Sequence, residues 1–350
     1  MKTVIITLSI FVGAIFTVSI LRYSPLVRFI PSLSENVLMK LKPGDGNRFW
    51  SFVAETREES QVGGRAQPTA EEAREGALQP VAPASFSFAI IGDTQRFKVK
   101  NSQGGLQLAV KNILTSDVDF LISVGDVSSG CEDDCMNDLT MWKNILGSLM
   151  PKTYPLMGNH DRSGKSVADT AWQEAFDLPT NGPPGYSELV YSFDFQNSHF
   201  VILNTEKPKS SVVDQVQRDW LEEDLALNRK ENTFIFFHRP AYPVSSKIDS
   251  SLDAHPDDRD ALWNIFTRYG VTAVFNGHEH IHSRKKIGDI YQFVFGNTDS
   301  YNHDLPEPGI TEYSYRGKTY GIVEIDGGET TVNLYSVEGR LINTFQLTHK

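Results

Sequence analysis

Pro155-Leu156-Met157-Gly158-Asn159-His160-Asp161 is a short apolar run that stops at a glycine and continues at once into an amide, an imidazole and a carboxylate. Asn159 offers a neutral amide oxygen to a hard cation. His160 belongs to the residue type that titrates near neutral pH, and Asp161 beside it is expected to set its tautomer and raise its basicity. Alone, such a run is more simply a turn after a strand. The same design recurs four times, however. Residues 86–91 (FSFAII) run into Gly92-Asp93, residues 120–124 (FLISV) into Gly125-Asp126, residues 233–237 (TFIFF) into His238, and residues 272–276 (TAVFN) into Gly277-His278-Glu279-His280. Each run has the β-branched and aromatic content of a buried strand and ends on a metal-ligating residue type.

Ligands of open α/β sheets bind at the carboxyl ends of the strands, so five such ends can meet in one crevice. Two carboxylates, one amide and three imidazoles are a suitable donor set for a pair of divalent cations. The intervening segments have helical spacing. Leu106, Val110, Ile113 and Leu114 share one face, and Leu139, Trp142, Ile145, Leu146 and Leu149 another. Further helices are expected around Trp172 and Phe176, around Trp220 and Leu225, and around Leu262 and Phe266. A hairpin turns at Gln196-Asn197-Ser198, and three strands close the chain at 321–325, 331–337 and 341–347. Alternating βαβ units followed by hairpins predict an α/β body of two sheets packed face to face with helices outside.

The 350 residues are 40% hydrophobic and 22% charged, a globular composition. A net charge of −11 argues against a dedicated nucleic-acid binder, whose footprint is basic. It leaves room for a small phosphorylated substrate, because bound cations dominate their local field.

Residues 3–21 are uncharged and largely apolar, close to the ~20 residues of a spanning helix. No clean cleavage site follows, so an uncleaved N-terminal membrane anchor is favoured over a signal peptide, with segment 1–23 in that role. Arg22, Arg28, Lys40 and Lys42 after the span would hold the body in the cytoplasm. The two cysteines, Cys131 and Cys135, argue the other way: a local disulfide needs an oxidising compartment, the alternative being two free thiols. The body is therefore expected outside the cytoplasm, anchored or secreted. Residues 24–84 are expected to be a juxtamembrane stretch and a flexible linker rich in Gly, Pro and Glu, with the folded body at 85–350.

The ordered set Gly92-Asp93, Gly125-Asp126, Gly158-Asn159-His160-Asp161, His238 and Gly277-His278-Glu279-His280 resembles the calcineurin-like metallophosphoesterase superfamily over about 85–300. The resemblance implies a four-layered α/β/β/α sandwich of two packed mixed sheets with flanking helices. It also implies hydrolysis of phosphate mono- or diesters by a hydroxide held between two divalent metal ions, Mn, Fe or Zn. By position, Asp126 would bridge both ions, Asp93 and His280 would complete one site, and Asn159, His238 and His278 the other. His160, oriented by Asp161, would assist the leaving group. Two cations ~3.5–4 Å apart lower the pKa of a shared water and clamp the attacking and leaving oxygens, which is the chemistry such a set supplies.

The chain departs from that pattern at Gln95, where the commonest first motif has a histidine. A glutamine carbonyl can ligate, but it is neutral and a poorer donor to a soft ion. Purple acid phosphatases, which also lack that histidine, use a tyrosine three residues after the bridging aspartate; here the place is Ser129. Gln95 is expected to coordinate. A catalytically silent, membrane-anchored binding module is the alternative that this departure raises. His282 is expected at the rim. Arg162 and Arg239, beside motif residues, are candidates for phosphate contact or for structural roles, and His199, His255, His303 and His349 for structural or exposed ones. Specificity is expected from loops 181–188, 207–214, 243–255 and 298–316.

Overall fold

The computed structural model describes residues 40–43, 50–53, 85–95, 104–130, 135–162 and 166–347. The candidate span at 3–21 and most of the expected linker lie outside them. Among the described residues no helix is long and apolar enough to cross a membrane. The chain divides into two compact units, Met1–Pro80 and Val81–Lys350. In the first, β1 (Lys40–Pro43) pairs antiparallel with β2 (Trp50–Val53), a pairing inside the stretch read as a tether.

The second unit opens with β3 (Ser85–Ile91), α1 (Gly105–Ile113), β4 (Phe120–Ser123), α2 (Cys135–Leu146) and β5 (Thr153–Pro155). Next come α3 (Asn159–Arg162), α4 (Ser166–Ala175), β6 (Tyr191–Phe195), β7 (Ser198–Ile202), α5 (Gln215–Leu227) and β8 (Asn232–Phe236). The chain continues through α6 (Pro256–Arg268), β9 (Ala273–Asn276), β10 (His282–Ile287), β11 (Ile290–Phe295) and β12 (Tyr313–Tyr315), then β13 (Thr319–Asp326), β14 (Glu329–Ser336) and β15 (Leu341–Leu347). Two mixed sheets result. One has six strands in the order β15-β14-β13-β3-β4-β5; the other has seven in the order β12-β10-β11-β9-β8-β7-β6.

Side chains alternate along a strand, so a strand buried on both faces needs cover on each. Phe88, Ala89, Ile90 and Ile91 are all fully buried. Phe88 shows what covers one face: its ring stacks on Phe120 of the same sheet at 5.3 Å and meets Phe200 of the other sheet edge-on at 5.3 Å. Phe236 and Phe275, stacked at 5.1 Å, continue this phenylalanine layer between the sheets. Each fully buried ring contributes roughly 1.5–3 kcal/mol. Helices cover the outer faces, completing the four layers. Helix α5 starts where Asp214 accepts a hydrogen bond from Gln217 N at 3.2 Å, and α6 starts at a proline whose missing N–H costs nothing there.

The tail strands do not form a sheet of their own. β13 pairs antiparallel with β3, with Val323 opposite Phe88, and so extends the first sheet. The hairpin β6–β7 joins the second sheet, through parallel pairing of β7 with β8. The β10–β11 hairpin and β12 fall where the sequence shows a charged run, Arg284-Lys285-Lys286, that hides strand periodicity. His282, expected at the rim, is buried in β10, where its ring meets Phe295 edge-on at 4.6 Å.

Candidate metal centre

The parallel strands β3, β4, β5, β8 and β9 all end on one side, and the loops that leave them carry the nine predicted residues. Those loops are crowded. Asp93, Asp126 and His278 sit at φ of 50°, 55° and 70°, a left-handed conformation costing roughly 1–3 kcal/mol for a residue with a side chain. Tertiary contacts hold them there: Asp93 N donates to Gly125 O at 3.0 Å, Thr94 N to Asp126 O at 2.9 Å and Gly277 N to His238 O at 2.9 Å. The motif glycines are what allow so close an approach. A Cβ at Gly158 would lie 2.2 Å from Asp126 Oδ1, and one at Gly277 would lie 2.6 Å from Asp93 Oδ2.

Among the described residues, Asp93, Asp126 and His238 offer ligand atoms all within 4.8 Å of one another. The other predicted residues adjoin these three. His280 Nε2 is 3.2 Å from Asp93 Oδ1, and His278 N donates to Asp93 Oδ2 at 3.0 Å. Gln95 Nε2 lies 3.5 Å from Asp126 Oδ2 and 3.4 Å from His280 Nε2. The His278 and His238 rings are 5.1 Å apart. His160 N donates to Asp126 Oδ1 at 2.9 Å, while its imidazole, 41% exposed, brings Nε2 to 4.0 Å from Asp126 Oδ2.

Hydrogen-bond chemistry shows what this arrangement lacks within the protein. His238 Nδ1 lies 2.8 Å from the Val124 carbonyl, which can only accept, so Nδ1 carries the proton. Nε2 of the same ring faces Asn159 Oδ1 at 3.1 Å and Asp126 Oδ1 at 3.4 Å, so that three polar atoms converge. Gln95 Oε1 is buried without a hydrogen-bond partner. Burial pushes the Asp93 carboxyl well above the usual range, and the Asp126 charge adds to the push. Burial also lowers His278 and brings His280 down to about 4, leaving neutral imidazoles, the form that ligates metals.

Asp161 is brought to the centre but not to the His160 ring. Its carboxylate accepts from Ser128 N and Gly158 N at 2.8 Å each and from Val127 N at 3.0 Å. It therefore ties the Asp126 loop to the Asn159 loop, and orientation of the His160 imidazole is not its contact. Burial, then the Asp126 charge, raise Asp161 to about 7 against the pull of those amides. Ser129 donates its hydroxyl to Asp138 at 2.7 Å, which engages it with α2.

Arg239 forms a fork on Glu206, with Nε 2.6 Å from Oε1 and Nη2 3.1 Å from Oε2, and its Nη1 lies 3.2 Å from His278 Nε2. Arg162 bonds the Glu206 carbonyl and lies 3.3 Å from Asp169. Both arginines thus meet at Glu206, a buried carboxylate that the sequence reading passed over. A signal was present: residues 200–203 form a sixth apolar run, ending in Asn204-Thr205-Glu206. Glu279 was passed over too. It is buried between the two histidines and accepts from Val244 N at 2.9 Å and Ser245 N at 2.6 Å, fastening loop 243–255 to the ligand loop. His303, expected to be structural or exposed, stacks on His280 at 4.1 Å.

Buried carboxylates, an amide and imidazoles converge at the strand ends of a two-sheet sandwich, a donor set suited to divalent metal ions. The calcineurin-like phosphoesterase profile matches residues 86–282, and the chain belongs to that family. Purple acid phosphatase 15 of Arabidopsis thaliana is 26% identical over 208 residues, 50% of this chain and 37% of that protein. A 3',5'-cyclic-nucleotide phosphodiesterase of Nostoc sp. is 28% identical over 212 residues, 55% of this chain and 71% of that protein. The chain thus spans little more than a third of the plant enzyme's length. The solved structure of purple acid phosphatase PPD1 from yellow lupin superposes with a TM-score of 0.63 at 16% identity, covering 75% of this chain and 54% of that one, which shows the shared fold. The metal that the family implies suits these residues, since a divalent cation would be met by the close-set carboxylates of Asp93 and Asp126 with His238 Nε2 and Asn159 Oδ1 beside them.

Proposed function

We propose that the chain is a metal-dependent phosphoesterase acting on phosphate mono- or diesters. The observation that carries this is the convergence of Asp93, Asp126 and His238 within 4.8 Å, beneath the exposed imidazole of His160. The matched relatives are named as acid phosphatases and a cyclic-nucleotide phosphodiesterase, which supports both ester classes.

Asp126 is assigned to both cation sites, because a carboxylate presents two anionic oxygens to two ions. Asp93, Gln95 and His280 complete one site, and Asn159, His238 and His278 the other. Two divalent cations, Mn, Fe or Zn, when bound supply an acidified water and neutralise the phosphoryl oxygens. His238 donates Nδ1–H to Val124 O, which fixes its tautomer and aims Nε2 inward. Ser300 Oγ, 3.2 Å from His280 Nδ1, is placed to orient that ring in the same way. His160, whose exposed imidazole brings Nε2 to 4.0 Å from Asp126 Oδ2, is assigned the proton given to the leaving oxygen. Asp161 positions His160 through the backbone by bracing the loop that carries it.

Localisation and domain division are part of the same proposal: an anchor at 1–23, a tether at 24–84 and an extracytoplasmic catalytic domain at 85–350. Disulfide-bonded Cys135 supports an oxidising compartment.

The purified chain, supplied with Mn2+ or Zn2+, is expected to hydrolyse an aryl phosphate and to hold close to two metal equivalents by elemental analysis. No bound cation and no turnover after reconstitution would favour the silent module. Gln95→His is expected to tighten the first site, because imidazole is a stronger donor to these ions than a neutral amide. The variant should retain Zn2+ at chelator concentrations that strip the wild type, with a roughly tenfold or larger gain in affinity. Equal retention would remove Gln95 from the ligand set.

A further inference from the structure

Loop 298–316 supplies more than a rim. Its first residues are bonded directly to the ligand loops. Asp299 N donates to Asp93 O at 3.2 Å, His280 N donates to His303 Nδ1 at 3.0 Å, and His303 N returns a bond to His280 O at 3.2 Å. Asn297 adds an internal brace, accepting from Ser300 N at 2.9 Å and donating to Asn302 Oδ1 at 2.7 Å. Within this segment the Tyr301 ring meets the His280 ring edge-on, centroids 4.7 Å apart, and leans on His303 at 5.4 Å. His280 is 2% exposed, yet Tyr301 is 53% exposed. A tyrosine one ring away from a candidate metal ligand, on a segment bonded to that ligand's backbone, keeps an open aromatic surface at the lip of the centre.

We propose that Tyr301 is a stacking subsite for a planar leaving group, and that the substrates are phosphoesters of nucleosides. The proposal rests on the phosphoesterase reading and names the substrate class of that site. Tyrosine offers a large rigid face at low entropic cost, having only two side-chain torsions to fix. The bonds to His280 and Asp93 hold the loop in place before substrate arrives, so little ordering remains to be done on binding. Stacking tolerates any base, because every base has a π-face. The phosphate itself gives no such discrimination, being common to all esters.

The test compares adenosine 5'-monophosphate with ribose 5-phosphate, which share the reacting phosphate and the leaving alcohol and differ in the base. With Mn2+ supplied, kcat/KM is expected to favour the nucleotide by about fivefold or more, chiefly through KM. Tyr301→Ala should bring that ratio towards one, and Tyr301→Phe should preserve it. A wild-type ratio near one, or a ratio unchanged in Tyr301→Ala, overturns the subsite. If the wild type turns over an aryl phosphate but neither of these compounds, the nucleoside reading is overturned; if it turns over none of the three, the phosphoesterase reading fails instead. Calorimetric binding of the same two ligands then decides the subsite, with equal affinities in the wild type overturning it.

Discussion

Asp126→Asn is expected to lower turnover of an aryl phosphate by well over a hundredfold and to empty both cation sites together. Asparagine matches aspartate in size, so the packing around a residue that is 1% exposed survives. The backbone that shapes the loop also survives, since Thr94 N bonds the Asp126 carbonyl rather than its side chain. What changes is chemistry: one oxygen becomes an NH2 group that can only donate, and the single negative charge assigned to both ions disappears. Losing an outer partner of a metal ligand typically costs about 10–100-fold, which makes a shared direct ligand the larger loss. Initial rates and elemental analysis of the same preparation test this. A variant that keeps two metal equivalents and the wild-type rate ends the assignment of Asp126 to the bridge.

His160→Ala is expected to cost about 10²–10⁴-fold, the usual contribution of a positioned general acid, but unequally across substrates. An alkyl ester needs a proton on its departing oxygen and should suffer the full loss. A p-nitrophenyl ester leaves as a stable phenolate and should suffer much less. Metal content should hold, because the contact between this residue and Asp126 Oδ1 runs through the His160 backbone N–H. The measurement is kcat for both esters in wild type and variant. The same factor on each would move His160 from proton transfer to phosphate binding.

Much of the centre was legible because its parts are local. An apolar run and a ligand-type residue sit within a few positions of each other, with a glycine between them in every case but His238, and this pattern marked Asp93, Asp126, Asn159, His238, His278 and His280. The glycines have a structural reason: at Gly158 even a methyl group collides with the Asp126 carboxylate. Asp161 shows the limit of adjacency. It neighbours His160 in sequence, yet its carboxylate bonds the amides of Val127, Ser128 and Gly158. Glu206 follows an apolar run and Glu279 lies inside a ligand motif, but that they hold Arg239 and loop 243–255 in place depends on contacts across the fold.

By itself the sequence determined the class of fold, the strand ends and the chemical types gathered there, since strand period and residue chemistry are set by neighbours along the chain. Only the tertiary structure decided which sheet each hairpin joined: β13 entered the first sheet beside β3, and β6–β7 entered the second. It alone placed Gln95 against His280, 185 residues away, and Tyr301 over that same ring. Contacts at such separations depend on how whole layers pack, and no local pattern of residues encodes them.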